Sequence, residues 1–167
     1  RINGREETVH VKNTGRCKEL MVANAKVYLA KSSNPERKTA YDLVAVEKGD
    51  LLINMDSQAP NQAVGEWLKK KELFPDLVSV RPETVYGNSR LDFMIETGQG
   101  KVFLEVKGVT LEDNGQVSFP DAPSLRAIKH VEELIEAKKQ GFAAWILFVV
   151  QMEQADCFEP QWKIHPV

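Results

Sequence analysis

The sequence is poor in cysteine, in long apolar runs and in excess charge, and each shortage excludes a class of protein. Cys17 and Cys157 are the only cysteines among 167 residues, and they stand far apart without the paired spacing of a structural zinc site. The apolar run "FAAWILFVV" at 142–150 is much shorter than a membrane span. These features predict a cytoplasmic protein with reduced thiols and no membrane contact.

The net charge of −2 favours no particular kind of partner. The first sixty residues carry a small excess of Lys and Arg, and the rest carry a small excess of Asp and Glu. Proteins that bind nucleic acid strongly usually have a clearer basic surface. On charge alone, a phosphate-binding first part and an ordinary solvated surface fit equally well.

The chain up to about Met55 has the pattern of a small β-barrel or sandwich. Short alternating runs near 6–13, 25–33 and 40–55 are separated by turn residues. The stretch "SQAPNQAV" then marks a boundary between this part and a longer one with helices. With 43% hydrophobic residues, the chain has room for one medium domain or two small ones.

Basic side chains of the first part lie in two predicted connections. Lys31, Arg37 and Lys38 belong to the polar loop "KSSNPERKTAYDL", and Arg16 belongs to the turn "NTGR". Such side chains fit contacts to a phosphate backbone, and they fit plain solvation equally well.

The second part predicts the order helix, three strands, helix, strand. The first helix is predicted from an N-cap at Asn61 to a stop at Pro75, and the second from about Pro123 to Gln140. The run 142–150 is hydrophobic throughout, which predicts a central strand covered on both faces. The predicted buried stripe of the second helix is Leu125, Ile128, Val131, Leu134 and Ile135. Its predicted polar face holds Arg126, Lys129, His130 and Glu133.

The stretch "RLDFMIETGQGKVFLEVKGV" at 90–109 reads as a hairpin of two alternating strands around a Thr97–Gly100 loop. In this register Asp92 faces Glu105 across the ladder. Like charges in such a pair destabilise a sheet. A raised pKa, a neighbouring lysine or a bound cation is needed to offset the repulsion.

A bound metal ion is the interpretation that best explains why two carboxylates face each other here. Asp92 and Glu105 could hold Mg²⁺ or Mn²⁺, and Lys107, on the same strand face as Glu105, could orient or deprotonate a water or hold a phosphate oxygen. The alternative is an ordinary surface ion pair. Glu83 is a candidate third carboxylate or a strand-edge charge. His130 fits a functional group or a solvated side chain, and Asp121 fits a ligand or a helix N-cap.

Several ordered motifs carry a family resemblance. "HVKNTGRC", "RLDFMIE", "FLEVKGVTL", "FPDAPSLRAIKH" and "FEP" resemble the sugar fermentation stimulation protein A family over most of the chain. The resemblance implies an α/β protein with an N-terminal OB-like barrel at 1–58 and a PD-(D/E)xK nuclease-type domain with an αβββαβ core at 59–167. It also implies that the family's first strand and its final helix and strand are missing here.

The family's members are described as DNA-binding proteins linked to the regulation of sugar utilisation, particularly of maltose. The nuclease-type motif falls on Asp92, Glu105 and Lys107, with Glu83 as its upstream acidic residue. The expected function is therefore DNA binding with a Mg²⁺- or Mn²⁺-dependent endonuclease site; the alternative is a DNA-binding regulator without turnover. The expected DNA contacts are Arg16, Lys31, Arg37, Lys38, Arg126 and Lys129. Single- and double-stranded DNA both stay open as partners, as does a homodimer.

Overall fold

The computed structural model describes residues 1–13 and 15–164, which form two helices and eleven strands. The helices are α1 (Ala59–Lys69) and α2 (Leu125–Lys139). The strands are β1 (His10–Val11), β2 (Val27–Lys31), β3 (Tyr41–Lys48), β4 (Leu51–Asn54), β5 (Leu77–Tyr86), β6 (Ser89–Thr97), β7 (Gly100–Val109), β8 (Leu111–Asp113), β9 (Gln116–Phe119), β10 (Ala143–Val150) and β11 (Cys157–Pro160). Neither helix of this described part is long and apolar enough to cross a membrane.

The chain divides into two compact units, neither of which is one continuous segment. Unit 1 combines Arg1–Gln58, Val109–Ala122 and the described part of Val150–Val167, and unit 2 combines Ala59–Gly108 and Pro123–Val149. The expected division into contiguous domains, 1–58 and 59–167, stays a prediction. The turn "NTGR" contains Thr14, which lies outside the described residues.

Unit 1 is built from short strands around β3. This strand runs antiparallel to β2 and β4 and parallel to β1. A second small sheet has the order β11-β9-β8. The core beneath the main sheet consists of Cys17, Leu20, Leu43, Val46, Ile53 and Met55. The predicted architecture of short strands in the first part is therefore confirmed.

A buried carboxylate holds the basic loop between β2 and β3. Arg37 forms two hydrogen bonds to Asp42, from Nη2 to Oδ1 at 2.6 Å and from Nη1 to Oδ2 at 3.1 Å. The Lys12 amine lies 3.3 Å from the same carboxylate. The Arg37 guanidinium lowers the pKa of Asp42 from 3.8 to about 2, with a further contribution from Lys12.

The stability of unit 1 is expected to fall in acid through Asp42. Because the pKa is lower in the folded chain, this carboxylate stabilises the fold fully above about pH 4, and its contribution disappears as the pH falls towards 2. Urea denaturation midpoints of Asp42→Asn should lie below those of the parent at pH 5 and meet them near pH 2. Asp50→Asn, an exposed carboxylate in the β3–β4 turn, is the matched control and should follow the parent throughout. A constant gap between Asp42→Asn and the parent across this range would contradict the prediction.

Unit 2 is a four-stranded sheet with a helix on each face. The sheet order is β10-β7-β6-β5, and the β5–β6 and β6–β7 pairs are antiparallel. Val64 and Leu68 of α1 pack with Phe93, Ile95, Val102, Leu104 and Val106. Leu134 and Ala137 of α2 pack with Leu91, Met94 and Phe103. Because Met94 and Phe103 alternate along their strands with Phe93, Ile95, Val102 and Leu104, the two helices cover opposite sides of the sheet. The predicted order helix, three strands, helix, strand is confirmed, with β8 and β9 of unit 1 inserted before α2.

Two predictions about α1 are wrong. The helix begins at Ala59, so Asn61 lies inside its first turn and is not the N-cap. Pro60 explains the earlier start, because proline has no N–H and suits the first turn. The helix ends at Lys69, well before Pro75, and Lys71 leaves helical geometry with a φ of 61°.

The predicted buried stripe of α2 is confirmed at Leu134 and wrong at most of its other positions. The residues buried against the sheet are His130, Leu134 and Ala137, whereas Leu125 is 85% exposed and Ile135 is 51% exposed. The N-cap is Ser124, whose hydroxyl accepts a hydrogen bond from the Ala127 amide at 3.1 Å. Asp121 is therefore not the cap; its Oδ2 accepts a hydrogen bond from the Arg16 amide at 3.0 Å.

The expectation of a central strand at 142–150 is wrong as well. β10 lies at the edge of the sheet, and it leaves Trp145 43% exposed and Ile146 38% exposed. A run without polar residues predicts a strand correctly, but its position in the sheet depends on which strands pair with it.

Candidate functional site

The β6–β7 hairpin has the predicted register from its turn as far as the Phe93–Leu104 pair. Met94 faces Phe103 and Glu96 faces Lys101, as expected, and the Thr97–Gly100 pair closes a two-residue turn. Thr97 and Gly100 thus belong to the strands and not to the loop. The ladder ends at the Phe93–Leu104 pair. The predicted direct pairing of Asp92 with Glu105, and of Arg90 with Lys107, is therefore wrong.

Where the backbone ladder ends, the side chain of Asp92 accepts a hydrogen bond from the facing strand. Asp92 Oδ2 accepts a hydrogen bond from the Val106 amide at 2.8 Å, and Oδ1 accepts one from Asn61 Nδ2 of α1 at 2.8 Å. Burial raises the pKa of Asp92, and the negative charge of Glu105 adds to the rise; the Val106 and Asn61 hydrogen bonds and the Lys107 charge oppose it. The two carboxylates therefore interact electrostatically without a ladder pair between them.

Glu105 is the most buried acidic side chain of unit 2, with 2% of its surface exposed. Its Oε1 accepts a hydrogen bond from Lys107 Nζ at 2.6 Å and also contacts His130 Nδ1 of α2. Its Oε2 is buried and has no hydrogen-bond partner among the described residues. A buried carboxylate oxygen without a partner is costly in free energy unless something positive or proton-bearing reaches it.

The donor set fits a hard divalent cation. Two carboxylates suit Mg²⁺ or Mn²⁺, which take oxygen ligands, and Mg²⁺ commonly binds one or two carboxylates and keeps several waters. Glu105 Oε2 is the oxygen left available, and each oxygen of Asp92 accepts one hydrogen bond and keeps acceptor capacity. Within residues 1–13 and 15–164, no group of three or more His, Cys, Asp or Glu is arranged to hold a metal. Such a site would therefore depend on these two carboxylates and on water.

Glu83 does not join the buried pair. Its carboxylate is 63% exposed and lies 3.1 Å from Arg90 Nη1. It lines a groove of about 510 Å³ together with Asp92 and Asn61. Its backbone has a φ of 52°, a left-handed conformation that strains a residue with a side chain, in the middle of β5. The strand is thus distorted beside the place where the β6–β7 ladder ends.

The basic residues predicted on α2 have different surroundings. Lys129 Nζ donates a hydrogen bond to the Asn88 carbonyl at 2.7 Å, and Glu133 accepts one from the Asn88 amide at 3.0 Å. Together they hold the β5–β6 turn against α2. Arg126 is exposed, and its Nε lies 3.5 Å from His130 Nε2. Arg126 is therefore the one of this pair that contacts the Glu105 network.

The basic residues predicted in unit 1 also differ from one another. Arg16, Lys31 and Lys38 are exposed. Arg37 is only partly exposed, and its guanidinium is bound to Asp42. This contact ties the β2–β3 loop, which carries Lys38, to Asp42 of β3.

Sequence reasoning missed the partners that orient the two carboxylates. Asn61 was predicted as a cap and instead binds Asp92, and His130 was placed on a polar face and instead contacts Glu105. His130 lies four residues before Leu134 and seven before Ala137, which is the spacing of one helix face. That spacing is the signal that could have placed His130 against the sheet.

Comparisons with known proteins agree with this architecture. Residues 1–55 match the family model "SfsA N-terminal OB domain", and residues 58–167 match "Sugar fermentation stimulation protein RE domain". A sugar fermentation stimulation protein homolog of Clostridium beijerinckii is 53% identical over 164 residues, which cover 98% of this chain and 73% of the relative. The homolog of Ruminiclostridium cellulolyticum is 51% identical over the same shares of both chains.

A solved structure gives the same result for the fold. The structure of Pyrococcus furiosus SfsA in complex with Ca²⁺ is 31% identical, with a TM-score of 0.87 over 99% of this chain and 72% of that one. The mixed α/β class, with an N-terminal OB domain, is thereby confirmed. The chain belongs to the sugar fermentation stimulation protein family, SfsA.

Proposed function

We propose that this protein binds DNA and hydrolyses phosphodiester bonds at a divalent-metal site formed by Asp92 and Glu105, with Lys107 as a further catalytic residue. The observation that carries the proposal is the buried Glu105 Oε2, which has no hydrogen-bond partner among the described residues. Lys107 donates to the other oxygen of the same carboxylate, and the Glu105 charge raises the pKa of Asp92. Two acidic groups and one cationic group, held together by burial, match the needs of phosphoryl chemistry.

The residues around the proposed site would have separate roles. Asn61 and the Val106 amide hold the Asp92 carboxylate in place, and Lys107 holds one oxygen of Glu105. When bound, a divalent cation would neutralise charge on the phosphate and lower the pKa of a water. The Lys107 amine would orient the attacking water or contact a phosphate oxygen. Glu83, at the rim of the adjoining groove, would act on substrate or solvent and not as a buried ligand.

Mg²⁺ or Mn²⁺ is the proposed cofactor. The related Pyrococcus furiosus protein was solved with Ca²⁺, which supports a divalent cation of the hard, oxygen-binding kind in this family. Mg²⁺ and Mn²⁺ share that preference and suit a site with few protein ligands.

The OB domain is proposed to supply most of the DNA-binding surface, in the cytoplasm. Domains of this fold bind strands through a basic groove. Arg16, Lys31 and Lys38 have exposed basic side chains that could reach phosphates, and Arg37 holds the β2–β3 loop, which carries Lys38, through Asp42. In unit 2, Arg126 is an exposed cation that could add a contact. A homodimer is compatible with this arrangement and is not needed for it.

Metal-dependent cleavage is the direct test. With Mn²⁺ or Mg²⁺ at millimolar concentration, the 167-residue chain should cleave single- or double-stranded DNA, and EDTA should abolish the cleavage. Fluorescently labelled strands on a denaturing gel would measure both. DNA binding that persists without any cleavage, in either metal and on either substrate, would contradict the enzymatic part of the proposal.

The second candidate is a DNA-binding regulator without turnover. It is favoured by the exposure of Glu83 and by its ion pair with Arg90, which leave only two carboxylates in the buried group. A regulator should bind DNA with an affinity that falls steeply as salt rises, and Asp92→Ala and Lys107→Ala should leave that binding unchanged. The proposed enzyme should lose cleavage in both variants.

A further inference from the structure

We infer that His130 is a positioning residue that holds Glu105 in the orientation required for cation binding. The inference rests on the proposed metal site and assigns a role to a residue of α2 that would itself bind neither metal nor substrate. It starts from the burial of His130, which is 6% exposed, and from its contact with Glu105 Oε1.

The hydrogen-bonding direction of the imidazole follows from its other neighbour. Arg126 Nε lies 3.5 Å from His130 Nε2, and an arginine can only donate. Nε2 is therefore the acceptor, and the ring proton of a neutral imidazole belongs on Nδ1. His130 Nδ1 then donates to Glu105 Oε1.

Glu105 thus receives two donors on the same oxygen. Lys107 Nζ donates to Oε1 from the strand, and His130 Nδ1 donates to Oε1 from the helix. With Oε1 held from two sides, the carboxylate cannot rotate freely, and Oε2 remains as the oxygen available to a cation. Residues that fix a ligand in this way commonly change metal affinity by about 10- to 100-fold when removed.

His130 occupies a buried position on α2 where an apolar side chain would also pack. The same helix face carries Leu134 and Ala137, which pack on Met94 and Phe103. A leucine at 130 would continue that apolar face, so the histidine is not needed for packing alone. This makes His130→Leu a variant that removes the donor while it keeps side-chain bulk.

The experiment measures Mn²⁺ affinity and thermal stability on the full chain. Free Mn²⁺ is quantified by electron paramagnetic resonance in titrations of the parent, His130→Leu, His130→Asn and Leu134→Ala. Asn can place its amide nitrogen near the position of Nδ1, so it restores the donor. Leu134→Ala loosens the packing of α2 without touching Glu105, so it is the matched control for helix packing.

His130→Leu should weaken Mn²⁺ binding by about 10- to 100-fold, and His130→Asn should recover most of that loss. Leu134→Ala should lower the melting temperature and bind Mn²⁺ like the parent. The inference is overturned if His130→Leu binds Mn²⁺ within twofold of the parent, if His130→Asn is as weak as His130→Leu, or if Leu134→Ala weakens binding equally. A parent that binds no Mn²⁺ overturns the proposed metal site, and the inference with it. A parent that binds Mn²⁺ while His130→Leu binds it equally well overturns the inference alone.

Discussion

Replacing Glu105 by glutamine is expected to abolish divalent-cation binding and DNA cleavage while the fold stays intact. Glutamine keeps the volume of the side chain, and its amide oxygen can still accept hydrogen bonds from Lys107 and His130. It replaces the unpartnered Oε2 by an amide nitrogen or leaves an uncharged oxygen there, and neither is a ligand comparable with a carboxylate. We expect Mn²⁺ affinity to fall by about 100-fold or more, and cleavage by about 1,000-fold or more, because metal catalysis contributes several kcal/mol.

The stability of the metal-free Glu105→Gln variant gives a second readout. The Glu105 charge adds to the raised pKa of Asp92, so removing it should lower that pKa towards its ordinary value. A group whose pKa is raised by folding favours the fold when protonated, and that contribution is lost as the pH rises through its folded pKa. At neutral pH this relief should offset part of the stability that the variant loses with the Lys107–Glu105 ion pair, as measured by urea denaturation of both metal-free proteins.

Glu96→Gln is the matched control for this substitution. Glu96 lies on β6 like Asp92, faces Lys101 in the ladder and accepts a hydrogen bond from Ser79 at 3.1 Å. Its removal should change neither Mn²⁺ affinity nor cleavage. If Glu105→Gln cleaves DNA at the rate of the parent, or Glu96→Gln loses activity equally, Glu105 has no special role in the chemistry.

The hairpin register was predictable because several local signals agree on it. Alternation in 90–96 and 101–107 and the two glycines of "TGQG" together predict Met94 opposite Phe103, as observed. This register places Asp92 and Glu105 just beyond the last ladder pair, Phe93–Leu104, although no ladder pair joins them. Their hydrogen bonds were not predictable, because the end of the ladder depends on a strained backbone at Glu83 and on a side chain that takes the Val106 amide. Neither feature has a signature in apolar periodicity.

The faces of α2 show a different reason for failure. Its sequence contains two overlapping stripes that share Leu134. The predicted one also runs through Val131 and Ile135, and the other also runs through His130 and Ala137. Hydrophobicity alone favours the first, yet the second packs on the sheet. The burial of His130 is compensated by its contact with Glu105, a partner distant in sequence. A method that counts apolar residues on one helix cannot include that partner.

Replacing Lys107 by methionine is expected to separate cation binding from catalysis. Lys107 Nζ lies 2.6 Å from Glu105 Oε1, and its side chain is 15% exposed. Methionine keeps the length of the buried stem and removes the charge and its donors. Removing Lys107 takes away a charge that repels the cation and also one of the two donors that orient Glu105. Because these effects oppose each other, Mn²⁺ affinity should change by less than about 10-fold, whereas cleavage should fall by about 100- to 10,000-fold, the usual effect of losing a group that handles a proton.

The matched control is Lys101→Met, because Lys101 lies on the same strand, is exposed and faces Glu96 at the other end of the ladder. Single-turnover cleavage at saturating Mn²⁺ should be normal in Lys101→Met and lost in Lys107→Met. Parallel loss of Mn²⁺ binding and cleavage in Lys107→Met would mean that the lysine only positions Glu105. Normal cleavage would remove Lys107 from the mechanism, since an amine that contacts the buried carboxylate without affecting turnover is part of the fold and not of the chemistry.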